Sequence, residues 1–184
     1  MKFNISTLNS PLGVLLIVSD DRHHLRALDF SNSEAHLHRR LREHYTRYEL
    51  TEAPAPIGVT DALQRYFDGQ ILALDEIPTE TAGTEFQRQV WAALRKIPAG
   101  ETTSYGELAR SIGYDDPRVA IDIGSANGSN PIAIVVPCHR VITKSGGLGG
   151  YAWGIDRKRW LLTHEGALSL ASQDLRLPGF NDDC

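Results

Sequence analysis

Cysteine is scarce in this chain of 184 residues, which contains only Cys138 and Cys184. Two cysteines are too few for a disulfide framework or a cysteine-based zinc cluster. No apolar run approaches the roughly 20 residues of a membrane-spanning helix. The residues after Met1 lack the apolar stretch and cleavage site of a signal peptide. We therefore expect a cytoplasmic protein with a free thiol and no membrane partner.

Positive charge is also in short supply, which bears on any interaction with nucleic acid. The net charge is −4, made up of −4 over residues 1–83, +2 over 84–166 and −2 over 167–184. Basic residues exceed acidic ones only in the middle segment, and only slightly, so we expect modest, salt-sensitive binding to nucleic acid. The content of 41% hydrophobic and 23% charged residues is that of a globular protein.

Residues 1–80 are predicted to form an α/β support domain with a small antiparallel sheet. Three β-branched and apolar runs, separated by turn residues, predict a three-stranded antiparallel meander: 3–7, 14–18 and 25–30. Ser33 is predicted to cap a helix. That helix has an apolar stripe of Leu37, Leu41 and Tyr45. A loop over 52–58 and a short helix over 60–68 are predicted to follow, with Gly69 ending the helix.

Histidine is frequent in this first segment, which contains His23, His24, His36, His38 and His44. His36 and His38 are two residues apart, so their rings would point to different sides of a helix. Metal sites generally need a tighter ligand spacing. We interpret these histidines as solvated surface residues and predict no metal site.

Residues 81–167 are predicted to form a mainly α-helical domain. Two capping boxes mark helix starts, at 84–87 and at 104–107. The first of these helices has an apolar stripe that stops before Pro98: Phe86, Val90, Leu94 and Ile97. The second is predicted to run to Gly113.

A third helix is predicted to follow after a short turn. Asp116 is suited to cap it, and Pro117 is suited to its first position. Helices over 104–113 and 117–127, joined so closely, indicate a helix-turn-helix. Helical hairpins are common, however, and the small residues of the third helix also suit packing within the protein.

The strongest candidate for chemistry follows a short apolar run. Residues 132–136 are predicted to be a buried strand or extended segment that Pro137 ends, and Cys138 and His139 come next. A thiol with the ordinary pKa of about 8.5 is mostly protonated at neutral pH, so a nucleophilic cysteine needs a base or a positive field. Neighbouring side chains on an extended chain point apart, and a bridging water would then carry the proton. The pair alone is more typical of an inert, buried cysteine.

A glycine-rich loop is predicted over 144–154, where five glycines permit close backbone approach. Tyr151 and Trp153 in this loop are suited to wall a pocket for a flat ring, although ordinary loop packing also explains them. The loop lacks the ending of a phosphate-binding loop, so nucleoside triphosphate binding is not expected.

One more helix and a tail are predicted to end the chain. Asp156 is suited to cap a helix over 157–164. Its buried face is expected to contain Trp160, Leu161 and Leu162. Residues 168–184 are predicted to be an extended tail.

Several of these segments together resemble one known family. The run Pro-Cys-His-Arg-Val at 137–141 follows Asn130-Pro131, and further matches are Ser-Tyr-Gly-Glu at 104–107, Gly-Ser-Ala-Asn-Gly-Ser-Asn-Pro at 124–131, Gly-Gly-Tyr at 149–151 and Leu-Leu-Thr-His-Glu-Gly at 161–166. In this order they resemble the O6-alkylguanine-DNA alkyltransferases, most closely the stand-alone bacterial type. The resemblance is strong over 80–167 and weaker over 1–79.

The resemblance implies a DNA repair protein that needs no cofactor. Such proteins transfer the alkyl group of O6-alkylguanine, and of O4-methylthymine, to their own cysteine in a single-turnover reaction. The implied partner is double-stranded DNA, entered through the minor groove by a helix-turn-helix, with the target base flipped out of the stack. A monomer is implied.

Site residues carry over from the family position by position. Catalytic roles are implied for Cys138, His139, Glu165, Tyr105 and Asn130. Substrate contacts are implied for Val141, Tyr151, Trp153 and Gly149. DNA contacts are implied for Ile121, Arg118, Ser125 and Ala120. In the implied relay, Glu165 orients His139, a water links His139 to the thiol of Cys138, and Tyr105 protonates the departing guanine.

One position departs from the family pattern. The arginine that fills the gap left by the flipped base is replaced by Ile121, which we expect to act as an apolar wedge. Arg118, about one helical turn earlier, is the alternative.

Two other functions stay open at this point. One is a DNA lesion sensor without transfer activity, although sensors of this type lack the cysteine. The other is a cysteine hydrolase.

Overall fold

The structure, a computed structural model, describes residues 1–169. Its strands are Lys2–Leu8 (β1), Leu15–Ser19 (β2), Leu25–Phe30 (β3), Glu49–Glu52 (β4), Thr103–Ser104 (β5) and Val141–Ile142 (β6). Its α-helices are Glu34–His44 (α1), Ile57–Phe67 (α2), Glu85–Leu94 (α3), Tyr105–Ser111 (α4), Val119–Gly128 (α5) and Ile155–His164 (α6). Short 3-10 turns are Ser31–Ser33, Ala73–Glu76 and Cys138–Arg140. None of the helices in this part of the chain is long and apolar enough to cross a membrane.

The predicted meander is present, but the sheet is not purely antiparallel. Its strand order is β3-β2-β1-β4; β1 and β3 pair antiparallel with β2, whereas β4 pairs parallel with β1. Strand β4 is a largely exposed edge strand with the sequence Glu-Leu-Thr-Glu. With one apolar residue it has no alternating pattern, so the sequence did not predict it, and the predicted loop began one residue too early.

The two helices beside this sheet differ from prediction at their starts. The stripe of Leu37, Leu41 and Tyr45 is buried as predicted. Ser33, however, makes no side-chain cap and instead ends a 3-10 turn. Helix α2 begins at Ile57, directly after Pro56, rather than at residue 60. It ends before Gly69, whose φ of +100° favours glycine.

The predicted helix pair is confirmed, because α4 and α5 follow each other closely and pack together. Both capping boxes are present, at Thr84–Gln87 and Ser104–Glu107. Helix α5 starts at Val119 instead of Pro117. The reason is that the Asp116 carboxylate accepts the Arg118 amide at 2.9 Å and holds a turn before the helix.

The last helix also starts differently. Gly154, with φ of +97°, stands at the cap position, and Asp156 lies in the first turn without capping. Leu161 and Leu162 are buried as predicted, but Trp160 is only half-buried. The predicted tail lies outside the described residues apart from 168 and 169, and so does Cys184.

The apolar run before Cys138 is buried, but it is not a strand. Residue Ile132 makes one bridge to Leu28 of β3, and the chain then turns tightly, with Ile134 at φ +65°. A β-branched residue in this region is strained by about 1–3 kcal/mol. The run therefore forms a compact turn that brings Cys138 close to Asn130.

One hydrophobic cluster runs through both halves of the molecule. It contains Leu15 and Phe30 of the sheet together with Trp91 of α3 and Ile132. A second, smaller cluster lies on the other face of the sheet against α1. The division at residue 80 stays a prediction.

Candidate active site

Cys138 lies at the start of a 3-10 turn and is almost completely buried. Burial raises the pKa of its thiol to about 11, against smaller opposing effects from the Asn130 amide and the charge of Lys158. The sulfur is therefore a protonated thiol at rest, and a base must remove the proton before it can attack.

Asn130 holds both the strained turn and the sulfur. Its side-chain nitrogen donates to the carbonyl oxygens of Ile132 at 3.1 Å and Val136 at 2.9 Å, and lies 3.2 Å from Cys138 Sγ. Its side-chain oxygen accepts the Ile132 amide at 2.9 Å. The amide of Asn130 thus fixes the segment that presents the sulfur, and it offers that sulfur a hydrogen-bond donor.

Glu165 and His139 form a buried pair beside this turn. Glu165 Oε1 lies 2.9 Å from His139 Nε2, and both side chains are fully buried. Burial favours the neutral carboxyl, but His139 and Arg140 outweigh it and hold the pKa of Glu165 well below its ordinary value. An ionised Glu165 can only accept, so His139 carries its proton on Nε2.

The other ring nitrogen of His139 is then available as a base. Burial lowers the pKa of His139 more than Glu165 raises it, so the ring is neutral. Among residues 1–169, Nδ1 of His139 has no hydrogen-bond partner, and no hydrogen bond joins it to Cys138. The hydroxyl of Tyr151 is equally buried and unpartnered within these residues, and its ring packs on His139 with centroids 6.4 Å apart. Two such groups are suited to hold a bridging water.

Two further residues complete the surroundings of Glu165. Arg140 donates through Nε to Oε2 and through Nη2 to Oε1, both at 2.9 Å. Tyr66, from α2, donates its hydroxyl to Oε1 at 2.8 Å. Sequence reasoning assigned neither role: Arg140 was quoted only as part of a motif, and Tyr66 lies 99 positions away with no local signal.

Lys158 is a third residue that sequence reasoning missed. It is completely buried in α6, and its Nζ donates to the carbonyl oxygens of Val141 at 2.6 Å and Gly150 at 3.3 Å. Burial lowers its pKa to about 8, with the Cys138 charge acting in the opposite direction. This ammonium ties the segment after Cys138 to the glycine-rich loop and places a positive charge near the sulfur. The implied substrate residue Val141 is itself buried and uses its carbonyl in this contact.

Cys138 opens into a cleft of about 390 Å³ between α1, α5 and the glycine-rich loop. Tyr105 and Tyr151 line it, and of the two aromatic residues predicted to wall a pocket, Tyr151 is therefore present. Trp153 does not, which corrects the prediction: it is 4% exposed, and its Nε1 donates to Asp29 Oδ1 at 2.7 Å. The indole packs edge-on against Tyr151, with centroids 5.2 Å apart, because its hydrogen bond to Asp29 of β3 holds it towards the sheet.

Tyr105 stands at the mouth of the cleft between two glycines. A Cβ at Gly124 would lie 3.9 Å from its ring, and a Cβ at Gly149 would lie 3.7 Å from its hydroxyl. Gly149 also has φ of +68°. Burial, and then the Cys138 charge, raises the pKa of Tyr105. The phenol therefore keeps its proton at neutral pH and is able to donate it.

The implied DNA-contacting residues lie on or beside α5. Arg118, Ile121 and Ser125 are exposed, and Ala120 is half-buried. Ile121 is 77% exposed, unusual for so large an apolar side chain. The guanidinium of Arg118 is held by Asp116, with Nη2 2.7 Å from Oδ2.

The histidines are less exposed than predicted. Only His23 is exposed, whereas His24, His36, His38 and His44 are half-buried. Within the described part of the chain, one group of possible metal ligands was found: Asp20, His24 and Glu80, with ligand atoms within 4.8 Å of one another. Arg26 already bridges the two carboxylates, at 2.6 Å from Asp20 and 3.0 Å from Glu80, so its guanidinium supplies the positive charge that a metal ion would bring.

Comparison with known proteins agrees with this geometry. Residues 5–81 match the ribonuclease-like domain of 6-O-methylguanine DNA methyltransferase, and residues 85–167 match its DNA binding domain. The methylated-DNA--protein-cysteine methyltransferase of Shigella flexneri is 47% identical over 163 residues, which are 88% of this chain and 94% of that protein. The protein of the same name from Mycobacterium tuberculosis is 43% identical over 173 residues, covering 93% and 96%.

The fold comparison leads to the same family. The crystal structure of Mycobacterium tuberculosis OGT in complex with DNA matches with a TM-score of 0.72 and 40% identity, covering 91% of this chain and 94% of that one. Relatives this similar over nearly their whole length, with both domain models matched in order, leave one conclusion. The chain belongs to the O6-methylguanine DNA methyltransferase family.

Proposed function

We propose that this protein repairs alkylated DNA by transferring the alkyl group of O6-alkylguanine, or of O4-methylthymine, to Sγ of Cys138. The observation that carries the proposal is the buried Glu165–His139 pair, which leaves a basic ring nitrogen without a partner on the residue next to Cys138, whose thiol lines a cleft. The relatives from Shigella flexneri and Mycobacterium tuberculosis are named for this activity.

The reaction begins with removal of the thiol proton. A water between Cys138 and His139 passes that proton to Nδ1, and Glu165 stabilises the imidazolium that forms. The Lys158 ammonium and the Asn130 amide stabilise the thiolate. The site thus creates the charge only in the presence of a base that is already oriented.

The thiolate then attacks the alkyl carbon, forming the S–C bond as the C–O6 bond breaks. The electron pair of the broken bond goes to guanine, which takes a proton from the hydroxyl of Tyr105. The proton held by His139 balances the one that Tyr105 gives up. The product is a thioether, which water does not hydrolyse as it does a thioester, so each molecule acts once.

DNA is the partner, and we propose that α5 enters its minor groove. Ile121 lies on α5 with its side chain exposed and is suited to wedge into the gap left by a flipped base. Its exposure supports this role, and the ion pair of Arg118 with Asp116 makes Arg118 the weaker candidate. We further propose a monomer, because one chain supplies every catalytic group named above, and a cytoplasmic location, where a free thiol stays reduced.

The decisive experiment is intact-protein mass after incubation with a duplex containing O6-methylguanine. We expect a gain of one methyl group, about 14 Da, under covalent nucleophilic transfer. Cys138→Ser should show no gain, whereas Cys184→Ser, the matched control, should gain as the wild type does. A methyl group on Cys184, or many turnovers without a mass change, would overturn the proposal.

A further inference from the structure

A buried carboxylate outside the catalytic network connects the sheet to the cleft. Asp29 lies in β3 and is 1% exposed. Its Oδ1 accepts the Trp153 indole Nε1 at 2.7 Å and the Phe30 amide at 2.8 Å, and its Oδ2 lies 2.6 Å from His36 Nδ1. One buried acid therefore joins two side chains that belong to different parts of the chain, 7 and 124 positions away.

The first of these contacts supports one wall of the cleft. Trp153 packs edge-on against Tyr151, whose ring lines the cleft and contacts His139. The backbone of Trp153 is fixed as well, since its carbonyl oxygen accepts Arg157 Nη1 at 3.0 Å. The Asp29 carboxylate consequently sets the rotation of the indole, and the indole sets how far the Tyr151 ring can retreat from Cys138.

The second contact supports a second wall of the cleft. His36, on α1, lines the same cleft as Cys138, and its ring meets the indole of Trp153 edge-on at 5.6 Å. Because Asp29 holds His36 at Nδ1 and Trp153 at Nε1, loss of the carboxylate would free both walls together. Both hydrogen bonds thus depend on one and the same carboxylate.

We propose that Asp29 is a positioning residue that fixes the width of the cleft and so determines which alkyl groups reach Cys138. The inference rests on the proposed alkyl transfer. A methyl group needs a narrow cleft with rigid walls to be held against the sulfur. A bulky group, by contrast, reacts faster when the walls can move apart. A small misplacement of reacting groups is enough to slow a reaction on the order of 10²-fold.

The test compares single-turnover rate constants for O6-methylguanine and O6-benzylguanine, both in single-stranded oligonucleotides so that base flipping does not contribute. For Asp29→Asn we expect the methyl rate to fall on the order of tenfold and the benzyl rate to fall less, so that the methyl-to-benzyl ratio drops. Trp153→Phe removes the Nε1 donor together with part of the indole, keeps one aromatic ring, and should move the ratio in the same direction. Because both changes break one shared contact, the double variant should add little to Asp29→Asn.

Asp20→Asn is the matched control, since Asp20 is also a buried acid beside the same sheet, bonded to Arg26, but lies outside the cleft. It should lower thermal stability and leave the ratio unchanged. If Asp29→Asn and Trp153→Phe lower stability, or both rates equally, with an unchanged ratio, Asp29 is only structural and the inference is wrong. If the wild type itself takes up no alkyl group, the proposed function fails instead, which the same assay distinguishes.

Discussion

Replacing Glu165 with glutamine tests the proposed relay most directly. The carboxylate accepts four hydrogen bonds, from Tyr66, His139 and twice from Arg140. An amide has one acceptor oxygen, so its NH₂ group must face a donor. Glu165→Gln therefore removes the charge that raises the pKa of His139 and leaves the buried Arg140 without its ionic partner.

The substitution should lower both the stability of the protein and the rate of methyl transfer. Breaking a buried ion pair by removing one partner costs about 3–5 kcal/mol of stability. With a weaker base, methyl transfer should slow on the order of 10²- to 10⁴-fold. The pH dependence of the rate also follows from His139, whose pKa lies below its ordinary value of about 6.5. Because the ring must be neutral to act as a base, wild-type transfer should persist as pH falls through about 6.5 and decline only at lower pH.

The assay is single-turnover methyl transfer followed by mass, at a temperature where urea denaturation shows each protein to be folded. Asp20→Asn provides the control, because it breaks another buried arginine–carboxylate pair outside the cleft. It should lose stability without losing rate. The relay would be refuted by a folded Glu165→Gln protein that transfers methyl as fast as the wild type.

Three other predictions follow from single side chains. Ile121→Arg should speed repair of duplex DNA and Ile121→Ala should slow it, both with little effect on single strands; equal shifts on both substrates would make Ile121 a packing residue. Tyr105→Phe should slow transfer on the order of 10²-fold while Cys138 alkylation by iodoacetamide stays unchanged. Lys158 has its pKa lowered to about 8, so between pH 8 and 10 this residue contributes a rise in stability, whereas Cys138, with its pKa raised to about 11, contributes a fall over the same range. The contribution of Lys158 is therefore read as a difference: in urea titrations, the stability of the wild type relative to Lys158→Met should rise as pH increases from 8 towards 10, and a constant difference would count against Lys158.

Local signals explain what the sequence predicted correctly. The capping boxes at 84–87 and 104–107 are patterns of four residues, and the strands β1 to β3 are apolar runs bounded by turns. The exposed edge strand β4 had no such signal, because its pairing with β1 is what makes it a strand. The helices that begin at Ile57 and Val119 were predicted to begin at residues 60 and 117. Their first residues differ from the prediction because contacts of the neighbouring backbone and side chains determine where each helix begins.

Long-range contacts explain what could not be predicted in the site. The apolar run 132–136 suited a strand, but Asn130 and the bridge to Leu28 fold it into a turn. Tyr66 reaches Glu165 from another helix, and a tyrosine on a helix face gives no sign of such a contact. Trp153 was expected in the cleft because the sequence did not reveal its partner, Asp29.

A protein that reacts only once benefits from a thiol that is unreactive until the substrate is bound. Thiolates are the form that oxidants and alkylating agents attack, so a permanently ionised Cys138 would be lost before it met damaged DNA. Burial raises the pKa of Cys138 to about 11 and so keeps it protonated, while Glu165 keeps the proton acceptor on His139 oriented. The low dielectric that protects the thiol also strengthens its interaction with Lys158 once the proton leaves. Protection and activation thus have the same physical origin, the burial of a charged network beneath the cleft.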